Sequence, residues 1–365
     1  MTHPGDIMRL EADIAGVPAD VLAVAPSTNE EVASVLRYAS DSNKVVDVLG
    51  GGTHHGYGSP RQPEIVLSMG RFDQTEAWNP EDMTVVVGAG MPIERLEGML
   101  AERSQTAVLP EVPGSSTVGG AISAGMSSLR RGRLYGTRER LLEVTLVTGD
   151  GRVVRAGGRV VKNVSGYDLP RLVVGAFGSL GVITSICLKL WPVPPAAMTV
   201  IVDDVSAADA VSRPLAVLES DGRTAIFIWG TESEVGAVSG RLRGEEISGL
   251  DWPGDPAGPL RWSLRVPPSS TSEAIAKLPG GWRYLAVHGV GDIRLASDSR
   301  QGAGALRSWA EGIGGRLVVL ESPPASLPDF DPWGEPPPAI ELQRRIISQF
   351  DPRRIINPGR LAGGL

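Results

Sequence analysis

The stretch Gly157–Thr184, GGRVVKNVSGYDLPRLVVGAFGSLGVIT, constrains the fold more than any other part of the chain. It carries six glycines: Gly157, Gly158, Gly166, Gly175, Gly178 and Gly181. It reads as strand, polar turn, short helix, glycine turn and strand. Glycines at 175, 178 and 181 remove side chains where something must lie close to the backbone. A packed core would favour methyl groups there. The pattern therefore points to a large, flat ligand.

Composition narrows the class of ligand. The 365 residues suffice for two domains. A formal net charge of −7 argues against a nucleic-acid binder, which would show a basic face. One cysteine, Cys187, rules out an internal disulfide and an iron–sulfur cluster held by this chain alone. It also fits a reducing compartment. The opening MTHPGDIMRLEADIAG lacks the basic start and apolar run of a signal peptide. With no long apolar run for a membrane span, the expectation is a cytoplasmic protein.

Local signals place the first elements. Thr28 with Glu31 three residues on predicts a capped helix carrying Val32, Val35, Leu36 and Ala39. Val45–Val48 predicts a strand running into Gly50, and Ile65–Leu67 and Thr84–Val87 predict two more. Pro92 suits the start of a helix with Leu96, Met99 and Leu100. Leu141–Thr148, the turn Gly149-Asp150-Gly151 and Arg152–Arg155 predict a hairpin. Val182–Leu190 closes the region before Pro192, Pro194 and Pro195. Farther on, strands are expected at 199–202, 225–229, 285–288 and 316–320, and helices at 207–219, 232–242, 303–311 and 339–349. Residues 251–268 and 322–338, both rich in proline, read as a loop and a tether.

Two further segments carry candidate chemistry. LGGGTHHGYG, 49–58, follows a strand and reads either as an amide cradle for a pyrophosphate or as a plain glycine turn. PEVPGSSTVGGAISAG, 110–125, reads either as a helix start pressing its N–H groups on an anion or as tight packing of small residues. Two such segments together are more specific than one. No G-x-G-x-x-G and no Gly-Lys dipeptide occurs, so neither a Rossmann dinucleotide unit nor a Walker A loop is supported. Lys162 and Asn163 follow a strand and Tyr167 and Asp168 precede an amphipathic turn; Lys162 reads more readily as a solvated cation, and Tyr167 as a core-edge ring, than as ligands.

In order and spacing, GGGT at 50–53, TVGGAISAG at 117–125, RLYGTRERLLEVTLVTGDGRVV at 133–154, GGRVVKNVSGYDLPRLVVGAFGSLGVI at 157–183 and FDPRRIINPGR at 350–360 form a resemblance. They are similar to the FAD-binding domain of the vanillyl-alcohol oxidase / p-cresol methylhydroxylase superfamily, and among its branches to the E-subunit family of bacterial glycolate oxidase. The resemblance covers about residues 20–192 and the C-terminal tail; it is weak over 196–340. It implies an α+β protein. A two-subdomain p-cresol methylhydroxylase-type FAD-binding domain (1–192) precedes a smaller α+β cap (193–338), and the segment 339–365 returns to the FAD domain.

The same resemblance implies site residues. Gly50, Gly51, Gly52 and Thr53 would bind the FAD pyrophosphate. Pro113, Gly114, Ser116, Thr117, Gly119, Gly120 and Ser123 would line the phosphates and ribityl chain. Gly178, Gly181 and Ile183 would lie beside the adenine or the ribityl end, and Asn357 and Arg360 would approach from the tail. No residue is assigned to catalysis and no metal is implied. Where many relatives have arginine this chain has Leu49. Where covalent members have histidine it has Thr53, so non-covalent FAD is expected, with His54 and His55 in a polar surface loop. Beyond residue 55 the one histidine is His288, expected as a satisfied core residue; Asp203-Asp204 and Glu245-Glu246 read as solvated turns.

The function implied is that of the FAD-binding subunit of a glycolate (2-hydroxy acid) oxidase or dehydrogenase. Its partners would be a D-type flavoprotein subunit and an iron–sulfur F-type subunit, with at most peripheral membrane association through the complex. A stand-alone FAD-dependent alcohol or sugar oxidoreductase and a non-catalytic assembly subunit with structural FAD stay open as alternatives.

Overall fold

The computed structural model describes residues 14, 17–59, 61–112, 114–159, 168–323, 326, 327 and 329–365. The first sheet is parallel. It combines β1 (Leu22–Val24), β2 (Val46–Leu49) and β3 (Ile65–Ser68) in the order β1-β3-β2, with helix α1 (Asn29–Ser42) crossing between the first two. The helix begins where the sequence predicts. The Thr28 hydroxyl accepts from the Glu31 N–H at 3.2 Å, and the Glu31 carboxylate accepts from the N–H groups of Ser27 and Thr28. Such a cap contributes about 1 kcal/mol. Val32, Val35, Leu36 and Ala39 are its buried stripe.

The second sheet is antiparallel and five-stranded, ordered β4-β5-β9-β7-β8. Its strands are β4 (Thr75–Asn79), β5 (Thr84–Gly88), β7 (Leu141–Val147), β8 (Val153–Gly157) and β9 (Val182–Lys189). The short pair β6 (Gln105–Thr106) and β10 (Trp191–Pro192) lies beside it. Helices α2 (Ile93–Ala101), α3 (Val118–Ser123), α4 (Arg131–Leu134) and α5 (Leu169–Val173) fill the connections. Val85, Val86 and Val87 of β5 are all buried, so both faces of that strand are covered. Each such side chain stabilises by about 1.5–3 kcal/mol relative to exposure.

The two sheets share one apolar core, in which Leu36, Ile65 and Val85 meet Ile122, Val144 and Ile186. The tail helix α9 (Ile340–Phe350) and the residues after it belong to the same core through Ile347, Ile355 and Ile356. The Val46 N–H donates to Ile355 O at 2.8 Å and the Asn357 N–H to Val46 O at 2.9 Å. The tail thus adds a parallel bridge to the edge strand β2.

Between these parts lies an eight-stranded sheet ordered β14-β11-β13-β12-β16-β17-β15-β18, antiparallel at every described pairing. Its strands are β11 (Ala196–Val202), β12 (Ala216–Ser220), β13 (Arg223–Gly230), β14 (Glu245–Ser248), β15 (Leu260–Arg265), β16 (Arg283–Val287), β17 (Asp292–Ser297) and β18 (Arg316–Glu321). Helices α6 (Glu232–Ser239), α7 (Thr271–Ala276) and α8 (Ala303–Gly312) connect them.

Here the sequence expectations need correction. Residues 207–219, expected as one helix, are a 3-10 segment, Val205–Ala210, followed by β12. Pro214 cannot sit inside a helix, and Ala216, Val217 and Leu218 are all buried as in a covered strand. The loop expected over 251–268 holds β15, whose Trp262 and Leu264 are fully buried. Its prolines flank the strand at 253, 256 and 259 on one side and 267 and 268 on the other, so none breaks its ladder. Glu245 and Glu246, expected in a turn, lie on the edge strand β14. The supposed tether is packed: Phe330 meets Trp262 edge-on at 5.7 Å, and the Val319 N–H donates to Pro332 O at 2.8 Å. Among the described residues no helix is long and apolar enough to cross a membrane.

Candidate functional site

Strand β2 delivers the chain into Gly50, Gly51, Gly52 and Thr53. Among the described residues, none accepts a hydrogen bond from these four backbone N–H groups. Consecutive free amides form a concave anion site, so the loop fits a pyrophosphate without any lysine. The facing segment is Ser115–Thr117. A Cβ on Gly50 would lie 2.5 Å from Thr117 Oγ1, and one on Gly51 would overlap the Ser115 carbonyl. Glycine is what lets the two loops meet.

The start of α3 behaves otherwise than expected. Its amides are already committed: Val118 N–H to Met91 O, Gly119 N–H to Ala89 O and Gly120 N–H to Thr117 Oγ1. They present no free row to an anion. The open amides lie in the 50–53 loop instead, and α3 supplies closeness, since a Cβ on Gly119 would lie 2.7 Å from Ala89.

The tail clamps both sides of the site. Asn357 Oδ1 accepts from Val48 N–H at 2.9 Å, and its Nδ2 donates to Phe177 O at 2.7 Å. One side chain therefore ties β2 to the glycine turn of 177–178. Arg360 donates to His55 O at 2.9 Å and to Asp47 Oδ1 at 3.0 Å. It is 6% exposed and acts as a positioning residue for the loop. Asp351 anchors the turn before them by accepting from Ile356 N–H at 2.8 Å, and its burial pushes its carboxyl pKa up.

Three adjoining cavities of about 710, 70 and 60 Å³ share lining residues. Gly50, Thr117, Gly120, Ser123 and Asn357 line both small ones. Gly51 and Arg360 line the first of these, and Gly119, Gly178, Gly181 and Ile183 the second. Gly52 and Thr53 continue into the large cavity, where Ser116 joins them. Gly114 lines none of the three and abuts the Glu94 carboxylate instead. Pro113, Lys162, Asn163 and Tyr167 lie outside the described residues, and Asp168 caps α5.

His54 and His55 are not in a solvated surface loop; both are half-buried and line the cavities. Ser116 Oγ donates to Thr53 Oγ1 at 3.1 Å, and Thr53 Oγ1 lies 2.8 Å from His54 Nδ1. Burial, then the Arg261 charge, push the His54 pKa down to about 4. Burial also lowers that of His55 against the opposing pull of Asp47. Tyr57, Phe177 and Trp333 form an aromatic row, with ring centroids 5.4 and 5.5 Å apart.

The His54 shift has a consequence for stability. Above pH 6.5 the imidazole is neutral in the folded and unfolded chain alike and contributes nothing. As the pH falls from 6.5 toward 4, the unfolded chain takes up a proton that the folded chain refuses, and stability drops by ~1–3 kcal/mol. Thermal midpoints at pH 7 and pH 5 should show a smaller acid loss for His54→Gln than for the parent.

The far wall of the large cavity was invisible to the sequence. Along β15, Arg261, Ser263 and Arg265 face the cavity while Trp262 and Leu264 point into the core behind. Register places Arg294 beside Ser263, and Asp292 and Arg316 beside Arg265. Six arginines (131, 138, 261, 265, 294 and 316) meet four carboxylates (Glu139, Asp255, Asp292 and Glu321), an excess of two cations. Arg294 is 2.5 Å from Asp255, and Arg261 is 2.8 Å from the same residue. Burial opposes the Arg294 charge, yet the Asp255 carboxylate holds its pKa above the usual value. Arg265 has the loosest partner, Asp292 at 3.9 Å, and a side chain 60% exposed. It is open to an incoming anion, as is the exposed Arg138, which among the described residues pairs with no carboxylate. The alternation of LRWSLR was the available signal, hidden by the flanking prolines.

His288 is satisfied away from the large cavity: its Nε2 lies 2.8 Å from Glu219 Oε2, while Tyr284 OH donates to Glu219 Oε1. Among the described residues no three His, Cys, Asp or Glu side chains gather as a metal site.

Known proteins match this arrangement. The family model described as FAD binding domain matches residues 21–157. Glycolate oxidase subunit GlcE of Escherichia coli is 27% identical over 311 residues, covering 78% of this chain and 83% of that protein. D-lactate dehydrogenase of Archaeoglobus fulgidus is 34% identical over 175 residues, 47% of this chain and 39% of its own length. The chain thus spans well under half of that dehydrogenase. Glycolate oxidase subunit GlcD of Bacillus subtilis is 30% identical over 213 residues and 45% of its length. An alkyldihydroxyacetonephosphate synthase structure superposes with a TM-score of 0.65 over 92% of this chain and 75% of that one. At 15% identity, that likeness speaks for the fold alone. Residues 21–157 thus match the FAD binding domain model, and FAD is the cofactor of this chain.

Proposed function

We propose that the chain is the FAD-binding subunit of an oxidase or dehydrogenase complex acting on a small 2-hydroxy acid. The FAD domain would span 1–192, the cap 193–338 and the returning tail 339–365. One observation carries the reading: the Gly52–Thr53 end of the amide cradle and the arginine wall line the same cavity. The cavity that adjoins the FAD cradle thus has cations in excess, which suit a substrate carboxylate. The names of GlcE, GlcD and the D-lactate dehydrogenase, glycolate and lactate proteins, support the substrate class, and the first two support membership of a complex.

Bound FAD supplies the two-electron acceptor. The amides of Gly50, Gly51, Gly52 and Thr53 would hold its pyrophosphate, non-covalently, with Asn357 and Arg360 fixing the loop. Arg265 would orient the substrate carboxylate, and Arg294, pinned by Asp255, would keep the wall positive. Burial keeps the His54 imidazole neutral at neutral pH beside Thr53. With one cysteine, the chain leaves cluster chemistry to an iron–sulfur partner, alongside a D-type flavoprotein subunit.

The test is anaerobic mixing of the FAD-loaded chain with glycolate, D-lactate and ethylene glycol, which lacks the carboxylate. Loss of flavin absorbance with the acids but not with the diol is the expected result. Equal bleaching by the diol would overturn the substrate class. Sustained turnover is expected to require the partner subunits.

A further inference from the structure

A second cavity, of about 590 Å³, opens on the other side of the 131–139 segment. Its walls come from 129–135, from the loop before β12 at 212–217 and from the β16–β17 turn at 287–290. The floor is apolar: Leu129, Leu215, Val217, Val287 and Val290. At the rim stand Arg133 and Arg213, both exposed, and among the described residues neither pairs with a carboxylate. Two open cations are notable on a chain of net charge −7.

Tyr135 also lines this groove, and its backbone is strained. At φ 66° and ψ 171° it occupies a region that belongs essentially to glycine. Its neighbours enforce this. Leu134 is buried and its carbonyl accepts from the buried Arg140, whose guanidinium lies 5.0 Å from the Trp191 ring centroid. The Gly136 N–H is held by Glu139 Oε2 at 3.1 Å. The result is a tyrosine 66% exposed. Within the chain, the strain brings no burial in return. Tyrosine and arginine around an apolar pocket are the residue types that dominate protein–protein binding.

We propose that this groove docks an acidic, apolar-tipped surface segment of a partner subunit. Tyr135 would pack on the segment, and Arg133 and Arg213 would pair with its carboxylates. The inner side of the same segment, through Arg131, Gly136, Arg138 and Glu139, lines the large cavity. A partner seated here would therefore lie one chain segment away from the cofactor site. The proposal rests on the reading of the chain as a complex subunit.

The test is affinity purification of the tagged full-length chain from its native host, with partners identified and their affinity then measured with the purified subunits. Arg133→Glu/Arg213→Glu and Tyr135→Gly are compared with the parent. Both variants should keep FAD, and both should bind the partner about 30-fold or more weakly, the double charge reversal most steeply at low salt. Tyr135→Gly should also unfold at an equal or higher temperature, because glycine relieves the strain; a merely structural tyrosine would not lose binding while keeping stability. A partner bound equally by parent and both variants overturns the docking site and leaves the complex reading standing. A parent chain that purifies alone overturns the complex reading, and the docking site with it.

Discussion

Gly51→Val is expected to yield colourless protein. The new side chain would overlap the Ser115 carbonyl and drive the 50–53 loop away from Ser115–Thr117. Displacement removes two amides from an anion, at about 1.5–3 kcal/mol each. FAD affinity should fall on the order of 10²–10⁴-fold, read as recovery of flavin fluorescence during titration. The fold itself should lose only about 1–3 kcal/mol from overpacking. Gly98→Ala is the control: it lies in α2 with nothing within 4 Å of the added methyl, so flavin binding should not change. A Gly51→Val protein that stays yellow would remove the amide cradle from the account.

Arg265→Gln is expected to leave FAD binding intact and weaken the 2-hydroxy acid. A charge-assisted pair in a partly enclosed cavity is worth about 2–4 kcal/mol, so the substrate concentration for half-maximal flavin reduction should rise about 30–1000-fold. Arg294→Gln should differ in kind. It removes a buried partner of Asp255, leaving Arg261 to compensate, and should cost stability as well as substrate binding. If Arg265→Gln reduces flavin at parental acid concentrations, the wall does not hold the carboxylate.

What could be read from the chain alone depended on distance along it. Thr28 and Glu31 form their cap within three residues, and the prediction holds in detail. The 50–53 loop, residues 117–123 and the turn at 178–183 converge with Asn357 around two small cavities. Which atoms stay free was not legible. The Gly120 N–H bonds its own cap, Thr117. Arg360, expected to approach the flavin from the tail, lines the small cavity with its guanidinium bonded to Asp47 and His55. In the eight-stranded sheet, local signals failed where strands were short and bordered by proline. Trp262, fully buried, sat in a stretch that looked like a loop.

The glycines of Gly157–Thr184, the capped helix and the solitary cysteine are properties of the sequence by itself, because φ freedom, capping and thiol count are local. They sufficed to require close approach to bare backbone, which Asn357 makes at Gly178 and the Val147 carbonyl at Gly181 where a flat ligand was expected, and to exclude an iron–sulfur cluster held by this chain alone. Only the tertiary structure decided which amides stay free, that His54 is half-buried with its pKa pushed down, and that Arg261, Arg265, Arg294 and Arg316 share one face. Those four residues come from three strands, and strand register sets which side each faces. Register is fixed by pairing between distant segments and by the burial of Trp262 and Leu264 behind them, a balance that no short window of sequence contains.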